Sequence, residues 1–275
     1  MFWKEDVDNL IFSLKNVNFS YLGRFPALAD ITMDIRAGER IAIIGANGSG
    51  KSTLLQMLDG LIFADSGEFN FSGTKLNEKK FYDVKFAKEF RKRVGFVFQN
   101  PEVQLFCPCV KEDILFGPLQ LGLEKNEVNK RLEKLVALLD LGSLLSRAPH
   151  QLSIGEKRKV TIASTLIINP EILILDEPTV GLDPLTTRKI IDLLISEGLA
   201  GKTVIVSTHD LHIVEEFADL VYILNQEKRV ASFGATSVIL GNMQLLQDNN
   251  LVHIHSHKHK DEVHLHPHLH SEHHV

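Results

Sequence analysis

Gly45-Ala46-Asn47-Gly48-Ser49-Gly50-Lys51-Ser52 carries the strongest chemical signal in the chain. It follows the G-x-x-x-x-G-K-[ST] spacing of a phosphate-binding loop. Glycines there let the backbone turn tightly, so that consecutive N–H groups face inward at a triphosphate. Lys51 is placed to reach the β- and γ-phosphates, and the Ser52 hydroxyl to hold Mg²⁺. Such a loop needs a strand before it and a helix after it. Ile41-Ala42-Ile43-Ile44 is short, apolar and β-branched, as a buried strand is, and Leu54, Leu55 and Leu58 recur at helical spacing. The helix would add its positive N-terminal end. A Gly-rich turn that merely imitates the loop lacks these flanks. The chain is read as binding a nucleoside triphosphate through Gly45, Asn47, Gly48, Ser49, Gly50, Lys51, Ser52 and Thr53.

A phosphate loop alone does not choose among kinases, GTPases and transport ATPases; the second half of the chain does. Ile172-Leu173-Ile174-Leu175-Asp176-Glu177 reads as a buried strand ending in two carboxylates. Ligands of open α/β sheets bind beyond the carboxyl ends of strands. Asp176 there would hold Mg²⁺ and Glu177 would polarise an attacking water. Ser153 followed by Glu156 is a capping box and predicts a helix start. Taken alone, such a box mostly only caps.

Taken together, residues from about Leu10 to Gly234 resemble the nucleotide-binding subunit of ABC transporters. Gly45 to Thr53 is similar to its Walker A motif, Ile172 to Glu177 to its Walker B, and Leu152-Ser153-Ile154-Gly155-Glu156 to its signature motif. Gln99 after Val94-Gly95-Phe96-Val97-Phe98 resembles the Q-loop, Gly181-Leu182-Asp183-Pro184 the D-loop, and Ser207-Thr208-His209-Asp210 the switch-histidine motif. Ile154 departs from the family pattern, which has glycine there.

The resemblance implies an α/β fold: a RecA-like P-loop core, an antiparallel β subdomain and an α-helical subdomain bearing the signature motif. It implies that Tyr21 stacks on adenine, that Gln99 touches Mg²⁺ and the water, and that His209 hydrogen-bonds the γ-phosphate. It further implies that Ser153, Gly155 and Asp183 act across a dimer in which two ATPs are sandwiched. The partner would be a second copy or a close relative. Integral membrane coupling and substrate-binding subunits would complete the machine at the cytoplasmic face of the membrane. Phe98 to Phe106 and Glu112 to Pro118 resemble, more narrowly, the ATPase subunits of energy-coupling-factor importers, which take up vitamins, cobalt and nickel.

The elements that must hold these residues are visible in outline. Phe12, Leu14, Val17 and Phe19 alternate, and the stretch Leu10 to Ala37 is expected to pair with Gly67 to Ser72 as an antiparallel sheet. Ile41 to Gly60 and Glu171 to Leu224 alternate strand-like and helical segments, which implies a parallel sheet. Lys125 to Leu141 is an amphipathic helix with Val128, Leu132, Leu135, Val136 and Leu139 on one face. The expected division is an ATP-binding domain over 10–250, its helical part about 100–168, and a tail over 251–275.

Composition excludes several classes. A net charge of −5 over 275 residues gives no electrostatic footprint for nucleic acid. No apolar stretch reaches the ~18 residues needed to span a bilayer. Both cysteines lie in Cys107-Pro108-Cys109, a poor disulfide framework that matches none of the usual zinc spacings, and are read as reduced thiols.

Ten of the thirteen histidines fall between His253 and His274. His253, His255, His257 and His259 alternate with other residues, as do His264, His266, His268 and His270. In an extended chain, alternation sets neighbouring imidazoles on one side, where they suit Ni²⁺, Co²⁺, Zn²⁺ and Cu²⁺ with weak selectivity that follows the Irving–Williams order. A purification tag would be an uninterrupted run, and a functionless polar tail needs no alternation; the reading adopted is a metal-binding tail. It points to nickel or cobalt as cargo. The alternatives are a vitamin importer and a soluble nickel-insertion NTPase, and the latter lacks its guanine-reading N-K-x-D motif here. A DNA-repair or translation ATPase would carry a second ATPase unit or a long coiled coil.

Overall fold

The computed structural model describes residues 9–196, 199, 201–259 and 262–269, with the backbone alone from 253 onward. The chain opens with β1 (Leu10–Tyr21) and β2 (Phe25–Arg36), then β3 (Arg40–Ile44), which delivers the phosphate loop to α1 (Lys51–Leu58). β4 (Ser66–Phe71) and β5 (Thr74–Lys75) follow, then α2 (Glu78–Phe81), α3 (Val84–Arg93) and β6 (Val94–Val97). A helical stretch of α4 (Val110–Leu121), α5 (Lys125–Leu139) and α6 (Ile154–Leu166) leads to β7 (Ile172–Asp176). Then come α7 (Pro184–Ile195), β8 (Thr203–Ser207), α8 (Leu211–Phe217), β9 (Leu220–Leu224) and β10 (Val230–Ala235). Two short helices, α9 (Thr236–Leu240) and α10 (Met243–Asp248), precede a hairpin of β11 (Val252–His259) and β12 (Glu262–Leu269).

Two sheets organise this chain. One has the order β2-β1-β4-β5 and is antiparallel; the other has the order β10-β9-β3-β8-β7-β6 and is parallel except at β10. Parallel strands covered on both faces need apolar residues in succession, and β3, β7 and β8 supply them. Ile41 and Ile43 face one core with Phe12, Leu14 and Ile31 of the antiparallel sheet and Leu54, Leu55 and Leu58 of α1. Ala42 and Ile44 face the other, with Ile114, Leu132, Val160 and Ile190 of the helices. α1 therefore lies between the two sheets, and its N-terminus is anchored from both. This is the α/β P-loop architecture with antiparallel and helical subdomains expected above.

α5 buries Val128, Leu132 and Leu139, with Leu135 and Val136 half-buried against the same core. The stripe is a packing face. The strands of the tail hairpin pair His253 with His268, His255 with His266 and His257 with His264 in backbone register. The side chains of these tail histidines and of His259, and all of His270, lie outside the described residues.

Candidate functional site

The phosphate loop is shaped by what it cannot accommodate. A Cβ on Gly45 would sit 2.4 Å from the Leu224 carbonyl oxygen and 2.6 Å from Ser49 Oγ. Gly50 has φ +102°, and a Cβ there would meet the Ala27 carbonyl oxygen at 2.5 Å. Only glycine fits either place. Gly50 also caps α1 without a side chain, so the first amides of that helix stay open toward the cavity. Ser49 is fully buried under the loop, and its Oγ has no hydrogen-bond partner among the described residues.

A cavity of about 380 Å³ opens over this loop, lined by Tyr21, Asn47, Gly48, Gly50, Lys51, Ser52, Thr53, Gln99 and Glu177, with Pro26, Ala27 and Lys228. Lys51 Nζ donates to the Gly45 carbonyl at 2.8 Å and lies 3.6 Å from Glu177 Oε1. Glu177 Oε2 lies 3.0 Å from His209 Nδ1. Lys51, Glu177 and His209, remote in sequence, thus form one chain of charge at the ends of β3, β7 and β8. Gly45, Asn47 and His209 share a second recess beside it. Tyr21 stands at the far wall, its hydroxyl 3.2 Å from Thr53 Oγ1 and its ring edge-on to Phe19.

Glu177 is 4% exposed and holds a left-handed φ of 44°, an uncommon conformation for a residue with a side chain. Strain of this kind persists where the surroundings over-determine it. Ser207 is what over-determines it here. Its Oγ donates to Asp176 Oδ1 at 2.6 Å and accepts from the Glu177 N–H at 3.0 Å, while its carbonyl accepts from the same N–H at 3.1 Å. One β8 serine thereby fixes the Asp176 carboxyl and the Glu177 backbone. Asp176, 3% exposed, sits behind Glu177. Ser52, Gln99 and Asp176 offer only oxygen donors of the kind Mg²⁺ prefers, so this donor set fits that ion.

Gln99 is held from the helical subdomain. Arg158 of α6 is 1% exposed; its Nη1 donates to the Phe98 carbonyl and its Nη2 to the Gln99 carbonyl, both at 2.5 Å. Lys157 reaches Glu102 at 2.6 Å in the same segment. Burial pulls the Arg158 guanidinium below its ordinary range, and the Asp176 carboxylate opposes that shift.

Ser153, Gly155 and Asp183 are not in the cavity; they form a separate cluster. Ser153 caps α6 reciprocally, its Oγ accepting from Glu156 N–H and its own N–H donating to Glu156 Oε2. A Cβ on Gly155 would lie 3.5 Å from Thr186 and 3.8 Å from Asp183 Oδ2. Asp183 caps α7 through Thr186, whose hydroxyl and N–H hold its carboxyl below the usual range. Ile154, at the first position of α6, is 57% exposed.

Three residues in or around the site carry no spacing signal of their own. Ser207 lies inside a quoted motif without a distinguishing pattern, Arg158 looks like one basic residue among several, and Lys228 sits in a polar turn. Cys107 and Cys109 are both free thiols. Burial and Asp113 push the Cys107 thiol up to about 11, which disfavours the thiolate that metals bind. Among the described residues, no group of three His, Cys, Asp or Glu side chains converges on a metal position.

Residues 28–180 match the ABC transporter family. The nickel import ATP-binding protein NikO of Rhodobacter capsulatus is 48% identical, over 88% of this chain and 95% of its own length. The energy-coupling factor transporter ATP-binding protein EcfA of Methanothermobacter thermautotrophicus is 41% identical, over 86% of this chain and 75% of its own. Among solved structures, cbiO1 from Clostridium perfringens, described as part of the ABC transporter complex cbiONQ, superposes with a TM-score of 0.73 at 35% identity. That match covers 88% of this chain and 95% of cbiO1.

The Glu177 contact raises the His209 pKa above its ordinary value, against a smaller opposing effect of burial. The imidazolium is therefore favoured in the fold. Stability from this pair is full below about pH 6.5 and is lost as pH rises through the raised folded value. In Glu177→Gln, His209 should titrate closer to ~6.5 by NMR. An unchanged titration would assign the shift to another neighbour.

Proposed function

This chain belongs to the ABC transporter family of ATP-binding proteins, whose ATP hydrolysis is coupled to transport, and from that premise we propose that it drives a membrane importer for a transition metal ion, nickel or cobalt. The observation that carries the ATPase part is the charge chain Lys51–Glu177–His209 beside a glycine-shaped phosphate cradle. Open amides of the loop and α1 receive the phosphates, and Lys51 turns from the Gly45 carbonyl to their β- and γ-oxygens. Tyr21 supplies the wall for the base. Glu177 accepts a proton from the attacking water, and His209, with its Nδ1 on Glu177, donates to the γ-phosphate and orders that water. Gln99 contacts the water from the opposite wall. Mg²⁺ held by Ser52, Gln99 and Asp176 would neutralise charge on the β- and γ-phosphates.

Ser153 and Gly155 lie outside their own chain's cavity, which is the reason to assign them to a neighbour's ATP. The capping box occupies the Ser153 and Glu156 N–H groups and leaves those of Ile154 and Gly155 at the helix end for an anion. Asp183, packed beside Gly155, belongs to the same dimer face. The partner is a second copy or a close relative. Phe106 and Phe116, exposed and edge-to-face at 4.8 Å, lie just beyond the Gln99 segment with Val103 and Leu119 and offer an apolar seat for a membrane subunit. Among the described residues no helix is long and apolar enough to cross a membrane. The spanning helices are assigned to partner subunits, and this chain to the cytoplasmic face. The ATP-binding domain is assigned to 10–250 and the tail to 251–275.

Nickel or cobalt as cargo is supported by the likeness to a nickel import protein and by the alternating histidines of the tail. The backbone register of the hairpin, which sets three histidine pairs opposite one another, suits shared ligation. A vitamin importer is the rival reading, and the likeness to EcfA, an energy-coupling factor transporter ATP-binding protein, is compatible with either cargo.

Glu177→Gln should retain ATP binding, lose on the order of 10²–10⁴-fold in turnover, and accumulate as an ATP-bound dimer by size-exclusion chromatography; normal turnover would remove Glu177 as the base. Ser153→Arg should abolish hydrolysis while each subunit still binds ATP, and loss of binding as well would contradict action in trans. Truncation before residue 251 should leave ATPase activity intact and lower bound Ni²⁺ in equilibrium dialysis. Equal Ni²⁺ binding by the full and truncated chains would refute the tail's role.

A further inference from the structure

Lys228 stands in the turn between β9 and β10, far in sequence from every motif above, and yet it lines the nucleotide cavity with Tyr21, Pro26 and Ala27. Its ammonium donates to the carbonyl of Gly48, at the crown of the phosphate loop. An ammonium has three donors and no acceptor. One N–H on Gly48 leaves two for a further oxygen in the cavity. Lys228 is thus a second lysine on the loop, at Gly48 where Lys51 is at Gly45.

The backbone reinforces this placement. Lys228 has φ +67°, the left-handed region that a side-chain-bearing residue rarely adopts. Three hydrogen bonds hold the turn there. Its carbonyl accepts from Ala29 N–H at 2.9 Å, its N–H donates to the Asn225 carbonyl at 3.1 Å, and Arg229 N–H donates to Asn225 Oδ1 at 3.0 Å. Arg229 adds an ion pair to Asp30 of β2 at 3.0 Å. A glycine would meet the demands of this turn without strain. A lysine held there against its backbone preference, with its ammonium at a phosphate cradle, points to use of the charge.

We propose that Lys228 is a nucleotide-binding residue: a second cation that contacts the polyphosphate from outside the loop, in addition to Lys51. The inference rests on the nucleotide reading of this cavity and adds to it a contact supplied by the turn after β9. Because β2 carries both Ala27 at the cavity wall and Ala29 under the turn, a ligand pressed against that wall also lies beside Lys228. ATP and ADP both present phosphate oxygens to it.

The test is MgADP binding by calorimetry to the full-length chain and to two variants. Lys228→Asn removes the charge and keeps a residue that tolerates the left-handed conformation; Lys228→Arg keeps the charge. Asn should weaken MgADP binding about five- to tenfold at low salt, the size expected for one net hydrogen bond at a solvent-exposed position. Arg should restore most of it. The gap between wild type and Lys228→Asn should narrow at 0.5 M salt, where charge is screened, and the thermal midpoint should not fall. Equal affinity of wild type and Lys228→Asn at low salt would overturn this contact alone. So would a loss independent of salt and accompanied by a lower midpoint, which would make Lys228 a brace for the loop. A wild-type chain that binds no MgADP would overturn the nucleotide reading itself, and this contact with it.

Discussion

A carboxyl that is 4% exposed needs charged or polar partners, and Glu177 has Lys51 and His209. Lys51 approaches one oxygen at 3.6 Å and His209 the other at 3.0 Å. Each belongs to a different strand end, so the parallel alignment of β3, β7 and β8 is what makes the grouping possible. The register is tight. β7 meets β8 with Asp176 opposite Ser207, and the serine hydroxyl then serves both carboxyl-bearing residues. A slip of one residue would carry Ser207 to the other face of the sheet. The left-handed backbone of Glu177 is tolerated because this network leaves it no alternative.

The second constraint is mechanical. The segment carrying Gln99 leaves the parallel sheet at β6 and is gripped at once by α6, through two carbonyls on Arg158 and one carboxylate on Lys157. Gln104 adds to the grip, its amide within 3.1 Å of Thr165 Oγ1 and its carbonyl accepting from Phe98 N–H. α6 is also the helix whose first turn holds Ser153 and Gly155. The grip on the Gln99 segment and the helix end proposed to clamp the neighbouring subunit's ATP therefore belong to one helix. Phe106, at the end of the same segment, packs edge-to-face on Phe116 of α4, so the apolar patch proposed to seat a membrane subunit adjoins the Gln99 segment.

Amino-acid order alone determined the parts of this protein in which chemistry forces a local pattern. The loop from Gly45 to Ser52 is legible because close approach to Leu224 and Ala27 admits only glycine at Gly45 and Gly50, and the strands are legible because burial on both faces requires unbroken apolar runs. The capping box at Ser153 and the stripe on α5 are local for the same reason, as each is complete within one or two turns. The family resemblance extended that reading to Tyr21, Gln99 and His209. Tertiary structure alone decided which distant groups meet: Ser207 on the Asp176 carboxyl and the Glu177 backbone, Arg158 on the Gln99 segment, Lys228 over the crown of the loop. Nothing in a lone serine, arginine or lysine marks it out. Their positions follow from strand register and helix packing, in which hydrogen bonds and van der Waals contacts join residues tens to hundreds of positions apart, and such contacts leave no periodicity in the chain.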